Sequence, residues 1–335
     1  MIKSAIRSLL AAPPLLRLYG SLPGTQLSLF TLHRFAVPDL GVAGHDPEQL
    51  AAALAVLRRE RIAILPLAAV VEAMREQRPL PKRAVVFTVD DGYFDFAEMG
   101  APVFERYDCP VTVFLVTGFL DRTTWLWWDK VRFIFTHGEL RRLSSSLARE
   151  LGDAPAQGRL IALAAEISRL STPIPNGELL ALVDDLAARA GVVLPESAPE
   201  PFRPMSWDSV QRLASGVVAF GPHTVTHPVL SRTGPVHAAF EITESWRRLR
   251  EVDARAVPVF SYPNGGYGRR EMDLVREAGL QAAVTTTPSY AAVDGSSSPD
   301  DRLFRLPRFP YPDQAQGLLL TSSGFRRIRP PRRAE

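Results

Sequence analysis

Two adjacent carboxylates, Asp90 and Asp91, follow the apolar run AVVFTV and precede Gly92. The run is typical of a buried strand, and ligands bind at the carboxyl ends of strands in α/β proteins. Successive residues there point in different directions, so one carboxylate can face a metal ion while its neighbour faces a substrate. The ordinary structural explanation is a tight turn in which an Asp side chain caps the backbone.

Two histidines four residues apart, His223 and His227, follow the apolar run VVAF. This spacing places both imidazoles on one face of a helical turn, where they can share one metal ion. Pro222 and Pro228 flank the pair and confine it to a short segment. The same spacing also arises by chance, and a single histidine is more often structural. Together with a carboxylate from another strand end, the pair completes a His2Asp set that leaves coordination positions open for water and substrate.

A third polar segment, SYPNGG, follows the strand-like run VPVF. Pro263 stiffens it, and Gly265 and Gly266 allow the backbone to approach a ligand closely. Such a segment can direct a backbone N–H at an oxyanion. The alternative is an ordinary connection between a strand and a helix.

Seven β-rich runs alternate with segments of helical periodicity, which predicts a parallel sheet covered by helices. The predicted strands are LSLFTL (27–32), IAIL (62–65), AVVFTV (84–89), VTVFLVT (111–117), VVAF (217–220), VPVF (257–260) and AAVTTT (282–287). About seven strands favour a barrel over an open sheet within the α/β class. Residues from about 122 to 205 contain no convincing strand, so we predict a helical insertion there.

Three motifs together resemble those of the polysaccharide deacetylases. TVDDGY (88–93) is similar to the family's TFDDGY signature, HTVTH (223–227) to its H(S/T)xxH motif, and FSYPNGGYG (260–268) to its third motif. The resemblance covers residues ~27–121 and ~205–310. It implies a distorted (β/α)7 barrel that removes acetyl groups from the nitrogen or oxygen of sugars.

On this resemblance, Asp91, His223 and His227 bind a divalent metal ion, and Asp90 is the base that activates water. Zn2+ is the leading metal, and a His2Asp set also accepts Co2+, Ni2+ or Mn2+. The implied partner is an N-acetylated saccharide.

The third motif is expected to contact the oxyanion through Tyr262, by its backbone N–H, together with Pro263 and Asn264. In the family this motif usually begins with an arginine that orients the base, and here no arginine stands at that place. The segment RLPRF offers Arg305 or Arg308 as a replacement at another strand end.

The chain also lacks the late Leu-x-His motif that often supplies the general acid. LFTLHRF (29–35) instead resembles an early YHRV-type strand end of one branch of the family. His33 is therefore the candidate acid, and the alternative is a structural histidine under the barrel mouth.

The composition is that of a globular protein, and the distribution of charge argues against a nucleic-acid-binding protein. Of the 335 residues, 46% are hydrophobic and 22% are charged, as in ordinary globular proteins. The net charge is +3, but the segment RRIRPPRRAE (326–335) carries +4 and leaves −1 for the rest. We therefore predict no nucleic-acid groove. The predicted domains are an N-terminal segment (1–26), the deacetylase barrel with its insertion (27–315) and a basic tail (316–335).

No run approaches the ~18 apolar residues that span a bilayer. Lys3 and Arg7 precede an apolar patch, but Pro13 and Pro14 divide it, so an uncleaved amphipathic segment is favoured over a signal peptide. The single cysteine, Cys109, excludes an internal disulfide and fits a reducing compartment. These features predict a cytoplasmic protein, with peripheral membrane contact through either terminus as an option and secretion as the alternative.

The leading hypothesis is a metal-dependent deacetylase in glycan biosynthesis or modification. An amidase acting on a small C–N substrate would keep the same site. A non-catalytic saccharide-binding member would explain the missing arginine and histidine. Trp125, Trp127 and Trp128 either stack on sugar rings or anchor a helix in the core, and the second role is more common for such a cluster.

Overall fold

The computed structural model of the protein describes Leu15, Tyr19 and residues 26–138, 176–214, 216–291, 299–312 and 314–325. The strands are β1 (Gln26–Leu32), β2 (Ala63–Ile64), β3 (Arg83–Val89), β4 (Val111–Leu115), β5 (Val218–Pro222), β6 (Val259–Ser261), β7 (Ala282–Val284) and β8 (Phe309–Pro310). The α-helices are α1 (Pro47–Arg59), α2 (Leu67–Arg75), α3 (Ala101–Arg106), α4 (Thr117–Leu120), α5 (Trp127–His137), α6 (Asn176–Ala190), α7 (Trp207–Leu213), α8 (Pro235–Val252), α9 (Arg269–Glu277), α10 (Pro299–Leu303) and α11 (Ala315–Ser322). Strands and helices alternate, so the predicted α/β class is confirmed.

Six parallel strands form the main sheet, in which β5, β4, β3, β1 and β8 are neighbours in that order and β2 pairs with β3. β1 and β3 are in register along their whole length, from Gln26 opposite Arg83 to Leu32 opposite Val89. β4 pairs with the end of β3 and with all of β5. Because all of these pairs are parallel, the residues that follow β1, β3, β4 and β5 lie at one edge of the sheet.

β6 and β7 form a separate parallel pair. Two local contacts join this pair to the main sheet. The Val257 N–H donates to the Phe220 carbonyl at 2.7 Å, and Val284 forms a parallel bridge with Leu306, shortly before β8. The strands therefore follow one another around a distorted barrel with gaps in its pairing, in the order β1, β3, β4, β5, β6, β7, β8. This is the expected architecture, although β8 was not among the predicted strands.

Successive residues of β3 pack into different parts of the core. Phe87 and Val89 belong to a cluster that includes side chains of α1 and α3, whereas Ala84 and Val86 belong to a second cluster with residues of β6 and β7. A shift of one residue would exchange these two sets, so the packing fixes the register of β3. It thereby also fixes the position of Asp90, which follows the strand.

The predicted helical insertion contributes α5 and α6, which pack on each other around Trp127 and Val183. Trp125 is buried in an adjacent cluster with Tyr93. Both of these tryptophans thus anchor the insertion in the core, while Trp128 is only half-buried. The predicted helical segment RLIALAAEISRL lies outside the described residues.

The C-terminal helix α11 belongs to the folded domain. Its residues Leu318, Leu319 and Leu320 are buried in the cluster that includes α1 and β1. The predicted start of a basic tail at residue 316 is therefore too early, and the Arg-rich residues 326–335 lie outside the described part of the chain. From the N-terminal segment, Tyr19 is buried and its ring centroid lies 5.1 Å from that of Phe325. None of the described helices is long and apolar enough to cross a bilayer.

Candidate active site

The Asp-Asp-Gly turn begins directly after β3. The Asp90 N–H donates to the Leu32 carbonyl at 3.0 Å, which ties the turn to the end of β1. Asp91 and Gly92 have φ angles of +78° and +86°, in the left-handed region that Asp tolerates better than most residues. A Cβ on Gly92 would lie 2.8 Å from a leucine side chain at the end of β4. The turn thus depends on this sequence, and it buries both carboxylates.

The histidine segment does not form the helical turn that its spacing predicted. It leaves β5 with the His223 N–H donating to the Leu115 carbonyl at 2.9 Å. Thr224 and His227 then adopt left-handed φ angles of +69° and +60°, which are uncommon for any residue and exceptional for a β-branched one. This irregular turn nevertheless brings the centroids of the two imidazole rings to within 4.8 Å of each other.

Asp91, His223 and His227 converge on one point although more than 130 positions separate the carboxylate from the histidines. Asp91 Oδ1 lies 3.7 Å from Nε2 of each histidine, and the three ligand atoms lie within 4.8 Å of one another. Atoms bound to one tetrahedral ion at about 2 Å are roughly 3.3 Å apart, so only a small contraction is needed. The His223 Nδ1–H donates to the Ser261 carbonyl at 2.7 Å, and this leaves Nε2 as the ligand atom.

The ionisation of this set also fits a cation. Burial and the nearby charges of Asp90 and Asp129 raise the pKa of Asp91 well above its ordinary value. Burial lowers the pKa of His223 to about 4, although Asp90 opposes this, and burial with the His223 ring lowers the pKa of His227 well below the usual range. Both imidazoles are therefore neutral, the form that binds metals, and a cation would stabilise the Asp91 anion.

Asp90 is held by an arginine from the other end of the chain. Arg308 donates from Nη1 to Asp90 Oδ1 and from Nη2 to Oδ2, both at 2.7 Å, and is completely buried. It also donates to the Thr285 carbonyl and to the hydroxyls of Thr88 and Ser261, at 2.9, 3.0 and 3.1 Å. Burial alone would raise the pKa of Asp90, but Arg308, followed by His223, lowers it below its ordinary range. Of the two candidate arginines, Arg308 thus contacts the base position, whereas Arg305 is exposed.

The third motif corrects one expectation. The Tyr262 N–H donates to the Val284 carbonyl at 3.3 Å, so this amide takes part in pairing with β7 and is not directed at a ligand. The buried Tyr262 hydroxyl donates to the Phe304 carbonyl at 3.1 Å. Pro263 is buried as well, and Asn264, with a φ of +54°, is the residue of this motif that lines the cavity. Of the three residues named for the oxyanion, only Asn264 therefore reaches the site.

A cavity of about 340 Å³ is lined by both carboxylates and both histidines and, from the insertion, by Trp127, Trp128 and Arg132. His33 follows β1 and lines the same cavity, where part of the residue is accessible to solvent. Burial lowers the pKa of His33, with Asp90 opposing and Arg308 adding to this effect. The candidate acid and the candidate base thus face one space.

Arg34 and Tyr93 also line the cavity, and the sequence interpretation gave neither of them a role. The Tyr93 hydroxyl donates to Asp129 Oδ2 at 2.5 Å and accepts from Trp128 Nε1–H at 2.9 Å. Arg34 lies over the Tyr93 ring, 3.9 Å from its centroid, and forms an ion pair with Asp95 at 2.5 Å. Their positions in the sequence could have indicated that these residues lie near the site. Arg34 directly follows the candidate acid, Tyr93 follows the Asp-Asp-Gly turn, and Asp129 follows the tryptophans.

These contacts hold the Trp128 ring beside the candidate metal ligands. The rings of Trp128 and His227 have centroids 4.8 Å apart and are nearly perpendicular. Burial raises the pKa of Asp129 to about 6, while the Tyr93 hydrogen bond opposes the rise. Trp128 is therefore the one tryptophan of the three that combines contact with a candidate ligand, partial exposure and a place on the cavity wall.

Comparison with solved structures identifies the fold. The Streptococcus pyogenes deacetylase PplD, in complex with acetate, superposes with a TM-score of 0.58 at 16% identity, covering 90% of this chain and 99% of that chain. IcaB from Ammonifex degensii superposes with a TM-score of 0.57 at 16% identity, covering 90% of this chain and 98% of that chain. The BpsB deacetylase domain from Bordetella bronchiseptica superposes with a TM-score of 0.52 at 15% identity, covering 86% of this chain and 99% of that chain. At these identities the likeness shows the fold alone.

Comparison of the sequence itself identifies the family. No curated protein matches the chain. The family model described as polysaccharide deacetylase matches residues 77–152 and 174–283, which is more than half of the chain and includes all three motifs. The chain therefore belongs to the polysaccharide deacetylase family, whose members are hydrolases.

Proposed function

We propose that this hydrolase removes the acetyl group from the nitrogen of an N-acetylated saccharide, using a divalent metal ion held by Asp91, His223 and His227. One observation carries the proposal: a carboxylate fixed by a buried arginine stands next to a buried His2Asp set, and both line one cavity. Two of the similar structures, PplD and the BpsB domain, are named deacetylases, which supports the same reaction.

A divalent ion, when bound, lowers the pKa of a water molecule and polarises the acetyl carbonyl. Zn2+ suits the two imidazoles and one carboxylate best, and Co2+ would be accepted by the same ligands. Asp90 accepts the proton of the attacking water, since its lowered pKa keeps it ionised at neutral pH. Arg308 holds both Asp90 oxygens and so orients the base. Asn264, at the cavity wall, is the proposed backbone donor to the oxyanion in place of Tyr262.

We expect acetate release from an N-acetylated oligosaccharide and little from the same sugar bearing only O-acetyl groups. A panel of N-acetylated, O-acetylated and small non-sugar amides, with acetate quantified enzymatically, checks this. Preferential cleavage of the small amides would favour the amidase alternative. Saccharide binding without any acetate release would indicate a binding protein.

His33 is the proposed proton donor to the departing amine. It lines the same cavity as Asp90, whose charge opposes the lowering of the His33 pKa by burial and so favours the protonated form that donates. His33→Ala should keep metal content and fold but lower turnover on an amide by about 10²-fold or more. The loss should be smaller on an activated acetate ester, whose leaving group needs no proton. Equal losses on amide and ester would instead indicate a structural histidine.

A cytoplasmic location and a membrane contact through the termini stay predictions. The segments concerned, 1–26 and 326–335, lie outside the described residues except for Leu15, Tyr19 and the first residue of β1. Fractionation of cells into soluble and membrane material would test both.

A further inference from the structure

Glu241 is a buried carboxylate on α8 that none of the catalytic roles above uses. Its side chain is completely buried. Oε2 accepts from two consecutive backbone N–H groups, those of Val225 at 2.7 Å and Thr226 at 2.9 Å. Oε1 accepts from the Thr226 hydroxyl at 2.5 Å and lies 3.4 Å from Nε2 of the exposed His237. All but the last of these contacts are with the turn between the two candidate metal ligands.

The other side of the same turn rests on the start of α4. The Thr117 N–H donates to the Thr224 carbonyl at 3.1 Å, and the Gly118 N–H donates to the Val225 carbonyl at 2.9 Å. A Cβ on Gly118 would lie 2.6 Å from that carbonyl oxygen, so the approach requires glycine. The N–H and hydroxyl groups of Val225 and Thr226 thus donate to Glu241, while the carbonyl groups of Thr224 and Val225 accept from the backbone of α4.

This support from two sides explains how the turn keeps an unfavourable backbone. Thr224 and His227 are both left-handed, and such residues persist only where the surroundings fix them. Within the turn, the His227 N–H donates to the Thr224 hydroxyl at 2.9 Å, and that hydroxyl donates in turn to the His223 carbonyl. The conformation decides where the two Nε2 atoms point, so whatever fixes it also fixes the ligand geometry.

We propose that Glu241 is a positioning residue that holds the turn so that His223 and His227 face Asp91 before the ion arrives. The inference rests on the proposed metal-binding role of these residues. A carboxylate suits the task because three donors must be accepted by one side chain. A glutamine keeps one acceptor oxygen for the two backbone N–H groups but loses the negative charge that strengthens these bonds, and its NH2 group can bond to the Thr226 hydroxyl only if that hydroxyl rotates to accept.

The test compares Glu241→Gln with the wild-type protein, using Co2+ as the probe. Both are stripped of metal, and Co2+ affinity is measured by competition with a chelator, alongside the visible absorption of the Co2+ form. We expect Glu241→Gln to bind Co2+ about 10-fold or more weakly, as loss of an outer-shell partner typically does. Its absorption should also change, because the ligands no longer hold the same geometry.

Ile242→Ala is the matched control, since Ile242 is equally buried on the same helix and belongs to a core cluster without the turn residues. It should lower thermal stability but leave Co2+ affinity and absorption unchanged. Thr226→Val, which removes only the hydroxyl bond, should give a smaller change in the same direction as Glu241→Gln.

Co2+ affinity of Glu241→Gln within about twofold of wild type, with an identical spectrum, would overturn the proposal, since an outer-shell partner should cost more. An equal loss of Co2+ affinity in Ile242→Ala would also overturn the proposal, because the loss would then result from general destabilisation of the fold. A wild-type protein that binds no Co2+ would overturn the proposed function as well as this inference, which separates the two failures.

Discussion

Replacing Asp90 with asparagine is expected to lower turnover on an N-acetylated saccharide by about 10²- to 10⁴-fold while leaving metal content unchanged. The amide cannot accept the proton of the attacking water. Asp90 is not among the three converging ligands, so the ion should remain. Steady-state acetate release, with metal measured by elemental analysis, checks both parts of the expectation.

Asp121→Asn supplies a matched change of charge away from the cavity. Asp121 pairs with Arg248 at 2.7 Å on the partly exposed surface. The control should keep wild-type turnover. Because Asp90→Asn leaves the buried Arg308 charge without its counter-ion, a lower melting temperature is also expected for that variant. Near-normal turnover in Asp90→Asn would show that another group is the base.

Replacing Asp91 with asparagine should remove the metal itself, and activity with it. It takes away the one anionic ligand, so the loss of affinity should exceed the ~10- to 100-fold that an outer-shell change costs. Turnover should fall at least as far as in Asp90→Asn and should recover in part when excess Zn2+ or Co2+ is supplied. Chelator treatment of the wild-type protein should have the same effect, reversed by either ion.

The raised pKa of Asp91 adds a dependence on pH. A proton and the cation compete for this carboxylate, so wild-type metal affinity should weaken as the pH is lowered. Titration of Zn2+ into the stripped protein at several pH values measures this. Full activity of Asp91→Asn without added metal, or activity that resists chelators, would contradict the metal-dependent reaction.

Much of the site could be predicted because its parts follow strands. The runs before Asp90, His223 and the segment that contains Asn264 are β3, β5 and β6, whose apolar patterns are plain in the sequence. Parallel strands bring their carboxyl ends together, so the convergence of these residues needed no knowledge of the loops.

The choice between Arg305 and Arg308 could not be made from the sequence. Their spacing of three places them on opposite faces of an extended segment, and the segment RLPRF does not reveal which face is internal. β8 itself is only two residues long and ends in a proline, too short to give a pattern. The bidentate contact with Asp90 is visible only once β8 lies beside β1.

Other features depend on backbone that contradicts local preference. The spacing of His223 and His227 favours a helical turn, but Glu241 and α4 hold that segment in left-handed conformations. Neither partner is adjacent in sequence. The Tyr262 amide likewise looked available because its strand partner, Val284, lies in a separate part of the chain.

Arg308 is made later in synthesis than the proposed metal ligands and the carboxylate that it contacts. All three proposed metal ligands have left the ribosome well before β8 is made, but the cation that neutralises Asp90 lies 218 positions after it. Until β8 pairs with β1 at Phe30 and Thr31, Asp90 lacks the guanidinium group that contacts both of its oxygens. The proposed metal ligands therefore precede the arginine that holds Asp90, so the two parts of the proposed site are completed at different points of synthesis.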